Sequence, residues 1–181
     1  MAGARRWTGA YTLRMQTSVE IVQVDLVQSR HAADLLRLMD AYAADEMGGG
    51  TPLEVAVRDR LIAALQDQPS YVGLLAYEGA RAVGLANCFR GFSTFRAAPL
   101  LNLHDLVVAP GHRGRGIGAQ LLAAVAQKAG DLGCCKVTLE VQSENRVAQS
   151  AYRRAGFAPY TLDAALGHAM FWQKLLHAAR P

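Results

Sequence analysis

The sequence lacks the long apolar runs of a membrane protein and the cysteine spacing of a disulfide-bonded or zinc-binding one. No run reaches the roughly 18–20 uninterrupted apolar residues that a membrane span needs, and no apolar core follows Arg5 and Arg6 as it would in a signal peptide. The three cysteines, Cys88, Cys134 and Cys135, form no CxxC pair. We therefore expect a soluble protein of the reducing cytoplasm, without disulfides.

Metal-binding clusters and strongly basic segments are also missing. The five histidines lie far apart along the chain, so no metal site is predicted. Lys and Arg number 19 and Asp and Glu 15, a net charge of +4. This mild excess favours an anionic ligand such as a nucleotide cofactor, but it fits ordinary surface charge equally well. No Lys/Arg-rich run has interleaved aromatic residues, so a nucleic-acid partner has little support.

The 181 residues, 51% of them hydrophobic, suit one domain with a substantial core. Residues 1–17 show no period and are interpreted as an N-terminal tail, and residues 18–181 as the domain. Content of β-branched residues and alternation predict strands at 19–24, 71–77, 82–89, 100–108, 136–141, 157–161 and 169–175. Helical spacing, with Ser29 and Thr51 as caps, predicts helices at 29–46, 52–66, 116–131 and 145–155. This order favours an α/β domain with a mixed sheet.

A glycine-rich segment, Arg113-Gly114-Arg115-Gly116-Ile117-Gly118, joins a predicted strand to a predicted helix. The first backbone N–H groups of a helix have no partner inside the helix and carry partial positive charge. Glycines just before them let an anion approach closely, which predicts a cradle of main-chain amides for a pyrophosphate. The spacing matches neither the GxGxxG dinucleotide motif nor the GK[ST] phosphate loop. A plain glycine-rich turn is the alternative.

Two signatures in this part of the chain resemble those of the GNAT superfamily of N-acetyltransferases. The first is Arg113-x-x-Gly116-x-Gly118 preceded by Leu106-Val107-Val108-x-Pro110, which resembles the family's coenzyme A motif. The second is Asn145-x-x-Ala148-x-x-x-Tyr152-x-x-x-Gly156-Phe157. The strong resemblance spans residues 100–157. Residues 103–108 and 171–174 resemble diamine acetyltransferases more faintly.

The resemblance implies a fold and a co-substrate. The fold would have a mixed, mostly antiparallel central sheet of six to seven strands with helices on both faces. Acetyl-coenzyme A would be the co-substrate, with no metal. The main chain of Leu106, Val107 and Val108 would pair with the pantetheine arm, which Asn145 would also hydrogen-bond. The pyrophosphate would contact Arg113, Gly114, Arg115, Gly116, Ile117, Gly118 and Ala119.

The resemblance also implies direct attack of an amine on the thioester, without an acyl-enzyme. An alkylammonium (pKa about 10) must then lose a proton, and the leaving thiolate (pKa about 8.5) must be protonated or stabilised. Tyr152 is the candidate general acid, since a phenol donates while neutral; a packing role is its alternative. His104 is the candidate base, directly or through a water, unless it is structural. Alternation predicts that His104 and Asp105 face opposite sides of the sheet, with Asp105 buried and structural.

The acceptor pocket is the least defined part of the prediction. Asp45 and Glu46 are candidates for holding an ammonium group, and Phe92 for a wall of the pocket; a solvated helix end and core packing are the alternatives.

We expect an N-acetyltransferase acting on a small primary amine, such as a polyamine or an amino-acid-like amine. A transferase for protein N-termini or lysines, and a non-catalytic coenzyme A sensor, stay open as alternatives. The resemblance leaves a homodimer open as well.

Overall fold

The computed structural model describes residues 18–163, 165, 167 and 169–176. The tail predicted at residues 1–17 lies outside this range. In chain order the elements are β1 Val19–Gln23, α1 Ser29–Ala43, a 3-10 turn Glu46–Gly48, α2 Val55–Gln66, β2 Tyr71–Glu78, β3 Arg81–Ser93, β4 Ala98–Val108, α3 Ile117–Asp131, β5 Val137–Leu139 and α4 Arg146–Arg154.

The five strands form one sheet in the order β1-β2-β3-β4-β5. The first three pairings are antiparallel and the last, between β4 and β5, is parallel. The mixed, mostly antiparallel sheet is confirmed, but the prediction of six to seven strands was too high. The segments 157–161 and 169–175 form no strand in the part of the chain described. One backbone bond, from Ala169 N to Tyr160 O at 3.0 Å, joins them, and Phe171 and Trp172 are 76% and 78% exposed. Alternation of apolar and polar residues does not by itself form a strand, because the backbone N–H and C=O groups must also pair with a neighbouring strand.

The sheet has a hydrophobic core on each face, because neighbouring side chains of a strand point to opposite sides. In β2, Leu74 belongs to the core beneath α3, together with Ile117 and Leu121. The next residue, Leu75, belongs to the core beneath α1 and α2. Burying each such side chain contributes about 1.5–3 kcal/mol. Helices on both faces are therefore confirmed.

Two helix starts differ from the prediction. The residue capping α1 is Gln28, without a side-chain hydrogen bond, and Ser29 is the first helical residue. Glu54 caps α2, three residues after the predicted Thr51. Between the helices, the Asp45 carboxylate accepts a hydrogen bond from Met47 N at 3.1 Å and starts the 3-10 turn. The helix predicted to reach residue 46 therefore ends at Ala43, because Asp45 caps a separate turn.

A β-bulge in β4 decides which side chains reach the functional site. Asn87 pairs with Asp105 while Cys88 pairs with Leu103, so His104 is an extra residue with no partner in β3. As a result Leu103 and Leu106, three positions apart, both pack against the core beneath α3. A bulge interrupts alternation in this way.

The predicted opposite orientation of His104 and Asp105 is therefore wrong. The His104 ring packs against Phe89 at 5.7 Å between centroids, and Phe89 packs on the core beneath α1 and α2. Asp105 is bonded to Asn87, which contacts Met39 of α1 on that same side. The extra residue turns both side chains toward α1.

Candidate active site

A cleft of about 1050 Å³ opens beside the C-terminal half of β4. It forms there because β5 pairs only with Leu101–Leu103, so the main chain of Leu106 and Val108 has no neighbouring strand on that side among the described residues. The N-terminus of α3 and one side of α4 complete the walls, and Tyr42 reaches the cleft from α1. The predicted site residues that line it are Asp45, Leu106, Val107, Val108, Arg113, Gly114, Gly116, Ile117, Gly118, Ala119, Asn145 and Tyr152.

The glycine loop presents free backbone amides to the cleft. Gly116 has a left-handed φ of 81° and caps α3 without a side chain. The first bond within the helix runs from Gln120 N to Gly116 O at 3.1 Å, so the three preceding N–H groups have no partner inside the helix. A Cβ on Gly114 or Gly116 would meet nothing within 4 Å. The space beside these two α-carbons is therefore open, so no side chain of the loop blocks the approach of an anion.

The two loop arginines have different partners. Arg113 donates from Nε to Val108 O at 3.1 Å and from Nη2 to Asp45 Oδ2 at 2.8 Å. Arg115 does not line the cleft; it pairs with Glu78 at the end of β2 and contacts His112 Nδ1 at 3.0 Å. Arg115 thus anchors the loop to the neighbouring strand. From the sequence, Arg115 was predicted to contact the pyrophosphate. Its partner Glu78 lies 37 residues earlier, so the loop sequence alone gave no sign of this ion pair.

His112 is a cleft residue that sequence reasoning missed. Its Nδ1 lies 3.0 Å from Glu78 Oε2, so it belongs to the same anchor as Arg115. Its side chain is 16% exposed and that of Glu78 is 14% exposed. Its position just before the glycine loop was the only signal in the sequence.

The start and middle of α4 bring Asn145 and Tyr152 into the cleft. Asn145 Oδ1 accepts from Ala148 N at 3.1 Å and caps α4, which leaves its amide nitrogen available. The Tyr152 ring packs against Phe157 at 6.0 Å. Burial raises the pKa of Tyr152, and the nearby Tyr42 adds to this. The phenol therefore stays protonated at neutral pH.

Tyr42 is a second residue that the sequence did not identify. Burial raises its pKa, and the negative charges of Asp105 and Asp45 raise it further. Tyr42 therefore interacts electrostatically with Asp105 and with Tyr152. In the sequence it is indistinguishable from the other apolar positions of α1, and only the packing of α1 against β4 brings it here.

Besides Arg115, three predicted residues lie away from the cleft. The exposed His104 side chain packs on Phe89. Glu46 is exposed within the 3-10 turn. Phe92 is 62% exposed and pairs with Pro99 near the other end of β4. Leu106 lies seven positions beyond Pro99 in β4, a distance of about 23 Å. Phe92 lines a separate shallow depression together with Arg90 and Pro99.

Within the described residues, no group of three or more His, Cys, Asp or Glu side chains is arranged to hold a metal ion. A helix with the length and apolarity for crossing a membrane is likewise not found among them.

Sequence comparison relates the chain to known acetyltransferases. The model of the Acetyltransferase (GNAT) family matches residues 35–157. Streptothricin acetyltransferase from Streptomyces lavendulae is 43% identical over 83 residues, which are 45% of this chain and 44% of that protein. The chain therefore spans less than half the length of this relative.

Solved structures share the fold over most of both chains. An aminoglycoside acetyltransferase from an uncultured soil metagenomic sample, in complex with sisomicin, matches with a TM-score of 0.71 at 17% identity, covering 87% of this chain and 97% of that one. An aminoglycoside N-acetyltransferase in complex with CoA matches with a TM-score of 0.66 at 18% identity, covering 87% and 95%. At these identities the likeness shows the fold alone.

Proposed function

The chain belongs to the acetyltransferase (GNAT) family, and on this premise we propose that it transfers the acetyl group of acetyl-coenzyme A to the primary amine of a small cationic molecule. One observation carries the proposal: the cleft unites the free amides at the start of α3, the unpaired edge of β4 and the phenol of Tyr152. These are the groups that a pyrophosphate, an extended amide-bearing arm and a leaving thiolate require.

The cofactor follows the length of the cleft in this proposal. Its pyrophosphate binds the amides of Ile117, Gly118 and Ala119, helped by the positive end of the helix. Its pantetheine arm pairs with the main chain of Leu106–Val108 and with the Asn145 amide. The cleft volume of about 1050 Å³ is at the upper end of ordinary ligand sites, as the size of a coenzyme A thioester demands.

Tyr152 is the proposed general acid. Its raised pKa keeps the hydroxyl protonated, so Oη can donate to the sulfur as the C–S bond breaks. A donor aimed at the place where charge develops stabilises the transition state more than the ground state.

Asp105 is the proposed acceptor of the ammonium proton, in place of His104. Its carboxylate is half-buried, adjoins the cleft residue Leu106 and is near Tyr42. Neither residue lines the cleft itself, but His104 is exposed and packs on Phe89, whereas the charge of Asp105 acts on the cleft residue Tyr42. A carboxylate on this side also attracts a cationic amine before its proton is lost.

The substrate class follows from the charges around Tyr42. Asp105 and Asp45 both act on its hydroxyl. Asp45 is paired with Arg113, so Asp105 is the carboxylate that makes the acceptor end suit a polyamine or an amino-acid-like amine. Streptothricin acetyltransferase, named for a small-molecule acceptor, supports this class. Glu46 and Phe92, which lie away from the cleft, are not assigned to acceptor binding.

The test measures free-thiol release from acetyl-coenzyme A across polyamines, amino acids, aminoglycosides and peptides, together with calorimetry of coenzyme A binding. We expect binding, and turnover with small cationic amines. Turnover with peptides alone would replace the substrate class by a protein acceptor. Binding without turnover on any amine would favour a coenzyme A sensor, and no binding would refute the proposal.

A further inference from the structure

We propose that Asn87 and Tyr71 are positioning residues, which hold the Asp105 carboxylate so that one of its oxygens faces the acceptor amine. This inference rests on the proposed function, because it concerns the group assigned there as the proton acceptor. Both residues lie behind the cleft, on strands β3 and β2, and neither lines it.

The three side chains form a continuous hydrogen-bonded chain across β2, β3 and β4. Tyr71 Oη donates to Asn87 Oδ1 at 3.0 Å, and Asn87 Nδ2 donates to Asp105 Oδ2 at 3.1 Å. Asn87 Nδ2 also donates to Met39 Sδ, with 3.2 Å between nitrogen and sulfur. A carboxylate only accepts and a phenol here donates, so the amide can be satisfied in only one orientation. Asn87 is thereby fixed as a donor to Asp105.

Asn87 is placed where a polar side chain is costly unless it is bonded. It is 3% exposed, one of only two buried polar residues in the described part of the chain. Burying an amide without partners costs about 1–3 kcal/mol by mutational measures. Leu85, two residues earlier on the same face, is fully buried and apolar, so this face of β3 is otherwise suited to a hydrocarbon. The amide therefore has a purpose beyond packing.

The second oxygen of Asp105 is not fully buried. Oδ2 is bonded to Asn87, whereas Oδ1 has no hydrogen-bond partner among the residues that the structure describes. No buried side-chain oxygen there lacks a partner, and Asp105 is only half-buried, so Oδ1 must be accessible. One oxygen is thus held by the protein and the other is left to receive a proton.

The bulge at His104 is what aligns the chain. If the register from Cys88 and Leu103 continued without interruption, Asn87 would face His104. The extra residue moves Asp105 into that position instead. Bulges commonly redirect a side chain in this way beside active sites. The irregularity of β4 therefore brings the carboxylate to its donor.

Titratable groups face Asp105 from each element packed against it. Tyr42 faces it from α1, Tyr71 from β2 and Cys88 from β3, and His104 precedes it on its own strand. Burial raises the pKa of Tyr71 well above its usual range, and the charges of Cys88 and Asp105 add to this. Burial, followed by the charge of Asp105, raises the pKa of the Cys88 thiol to about 12. Tyr71 and Cys88 are therefore neutral and bring no second negative charge behind the cleft.

The test compares three substitutions by the pH dependence of kcat/KM. Asn87→Leu removes the donor, Asn87→Thr restores a hydroxyl donor, and Tyr71→Phe removes only the hydroxyl that orients the amide. Because loss of a donor disfavours the charged carboxylate, we expect the acidic limb of Asn87→Leu to move to higher pH. Its kcat should fall by roughly ten-fold, with an unchanged KM for acetyl-coenzyme A. Asn87→Thr should regain part of this loss, and Tyr71→Phe should show a smaller shift in the same direction.

Cys88→Ala is the matched control, because it removes a buried atom from the next residue of β3 without touching the hydrogen-bonded chain. It should lower the melting temperature and leave the acidic limb in place. If Asn87→Leu and Tyr71→Phe keep the wild-type limb and kcat while the wild type transfers acetyl groups, the positioning role is refuted and the proposed function stands.

Titration of the Asp105 carboxyl by NMR gives a second, activity-independent answer. The midpoint of the Asp105 titration should rise in Asn87→Leu and, to a smaller extent, in Tyr71→Phe. Tyr71→Phe loses only one hydroxyl, so it provides the measurement if Asn87→Leu does not fold. An unchanged midpoint in Tyr71→Phe, and in Asn87→Leu where it folds, would also overturn the inference. A wild type that turns over no amine would refute the proposed function alone, because this titration would still decide whether Asn87 and Tyr71 hold Asp105.

Discussion

Arg113 and Asp45 join the two sides of the cleft: Nη2 of the arginine donates to Oδ2 of the carboxylate at 2.8 Å. The arginine belongs to the glycine loop, and Asp45 to the turn between α1 and α2. The same guanidinium bonds Val108 O at the end of β4, so three segments meet at this one side chain. While it is held by Asp45, Arg113 offers less charge to a phosphate, and Asp45 offers less to an ammonium group.

Asp45→Asn should therefore tighten coenzyme A binding. The freed guanidinium can turn to the pyrophosphate, and since exposed ion pairs contribute about 0.2–1 kcal/mol, we expect a gain of about two- to five-fold in affinity by calorimetry. Glu46→Gln is the control, because it removes the same charge one residue away. Equal changes in both variants would mean that only the general field of the loop matters.

The same ion pair has a defined pH window. The hydrogen bond from Arg113 holds the pKa of Asp45 below its usual range. Its stabilisation is therefore present above about pH 4, the ordinary range for Asp, and is lost as the pH falls through the lowered value. Melting temperatures of wild type and Asp45→Asn should accordingly converge in acid. A constant difference across this window would contradict the pairing.

Tyr152→Phe should separate chemistry from binding. Removal of one hydroxyl should lower kcat by about 10²-fold if it supplies the proton, with coenzyme A affinity unchanged. Because the pKa of Tyr152 is raised above its ordinary value, any loss of wild-type activity from its ionisation should begin only above about pH 10. Tyr160→Phe, at a tyrosine 54% exposed, is the control. A kcat equal to wild type in Tyr152→Phe would remove this residue from the mechanism.

Asp105→Asn and His104→Ala distinguish the two candidate bases. If Asp105 takes the proton, Asp105→Asn should lose the acidic limb and about 10²–10⁴-fold in kcat. His104→Ala should then retain that limb, with at most a modest loss from the altered bulge. The opposite pattern would assign the proton to His104 through a water. Both variants are compared at equal cofactor saturation, because Asp105 directly precedes the residues of β4 that are proposed to bind the pantetheine arm.

Gly116→Ala and Gly118→Ala test the glycine loop. Gly116 has a φ of 81°, where an L-residue costs about 1–2 kcal/mol; we expect lower stability and weaker coenzyme A binding as the amides turn. Gly118 lies inside α3 without a positive φ, and its added Cβ would meet only Val108 Cγ2, at 3.7 Å. Gly118→Ala should keep the wild-type melting temperature. Equal melting temperatures for both variants would show that the left-handed turn is not required.

The features that the sequence determined by itself are local. Apolar periods placed the α3 helix to within one residue, and β1, β2 and β4 to within two. The glycine loop before Ile117 was visible as a run of glycines between a predicted strand and a predicted helix. Short-range steric and hydrogen-bonding preferences of neighbouring residues decide such features, so they are visible along the chain. The family signatures depend on these same local structures.

The tertiary structure decided which side chains meet. The register of β3 against β4 determines the bulge that makes His104 the extra residue and sets Asp105 against Asn87. Likewise, Arg115 is diverted to Glu78, Arg113 to Asp45, and Tyr42 to the cleft. The final strands predicted at 157–161 and 169–175 failed for a related reason, since alternation supplies no paired backbone. All of these depend on partners tens of residues apart, which meet only when burial of the two cores compensates the entropy of closing the intervening loops.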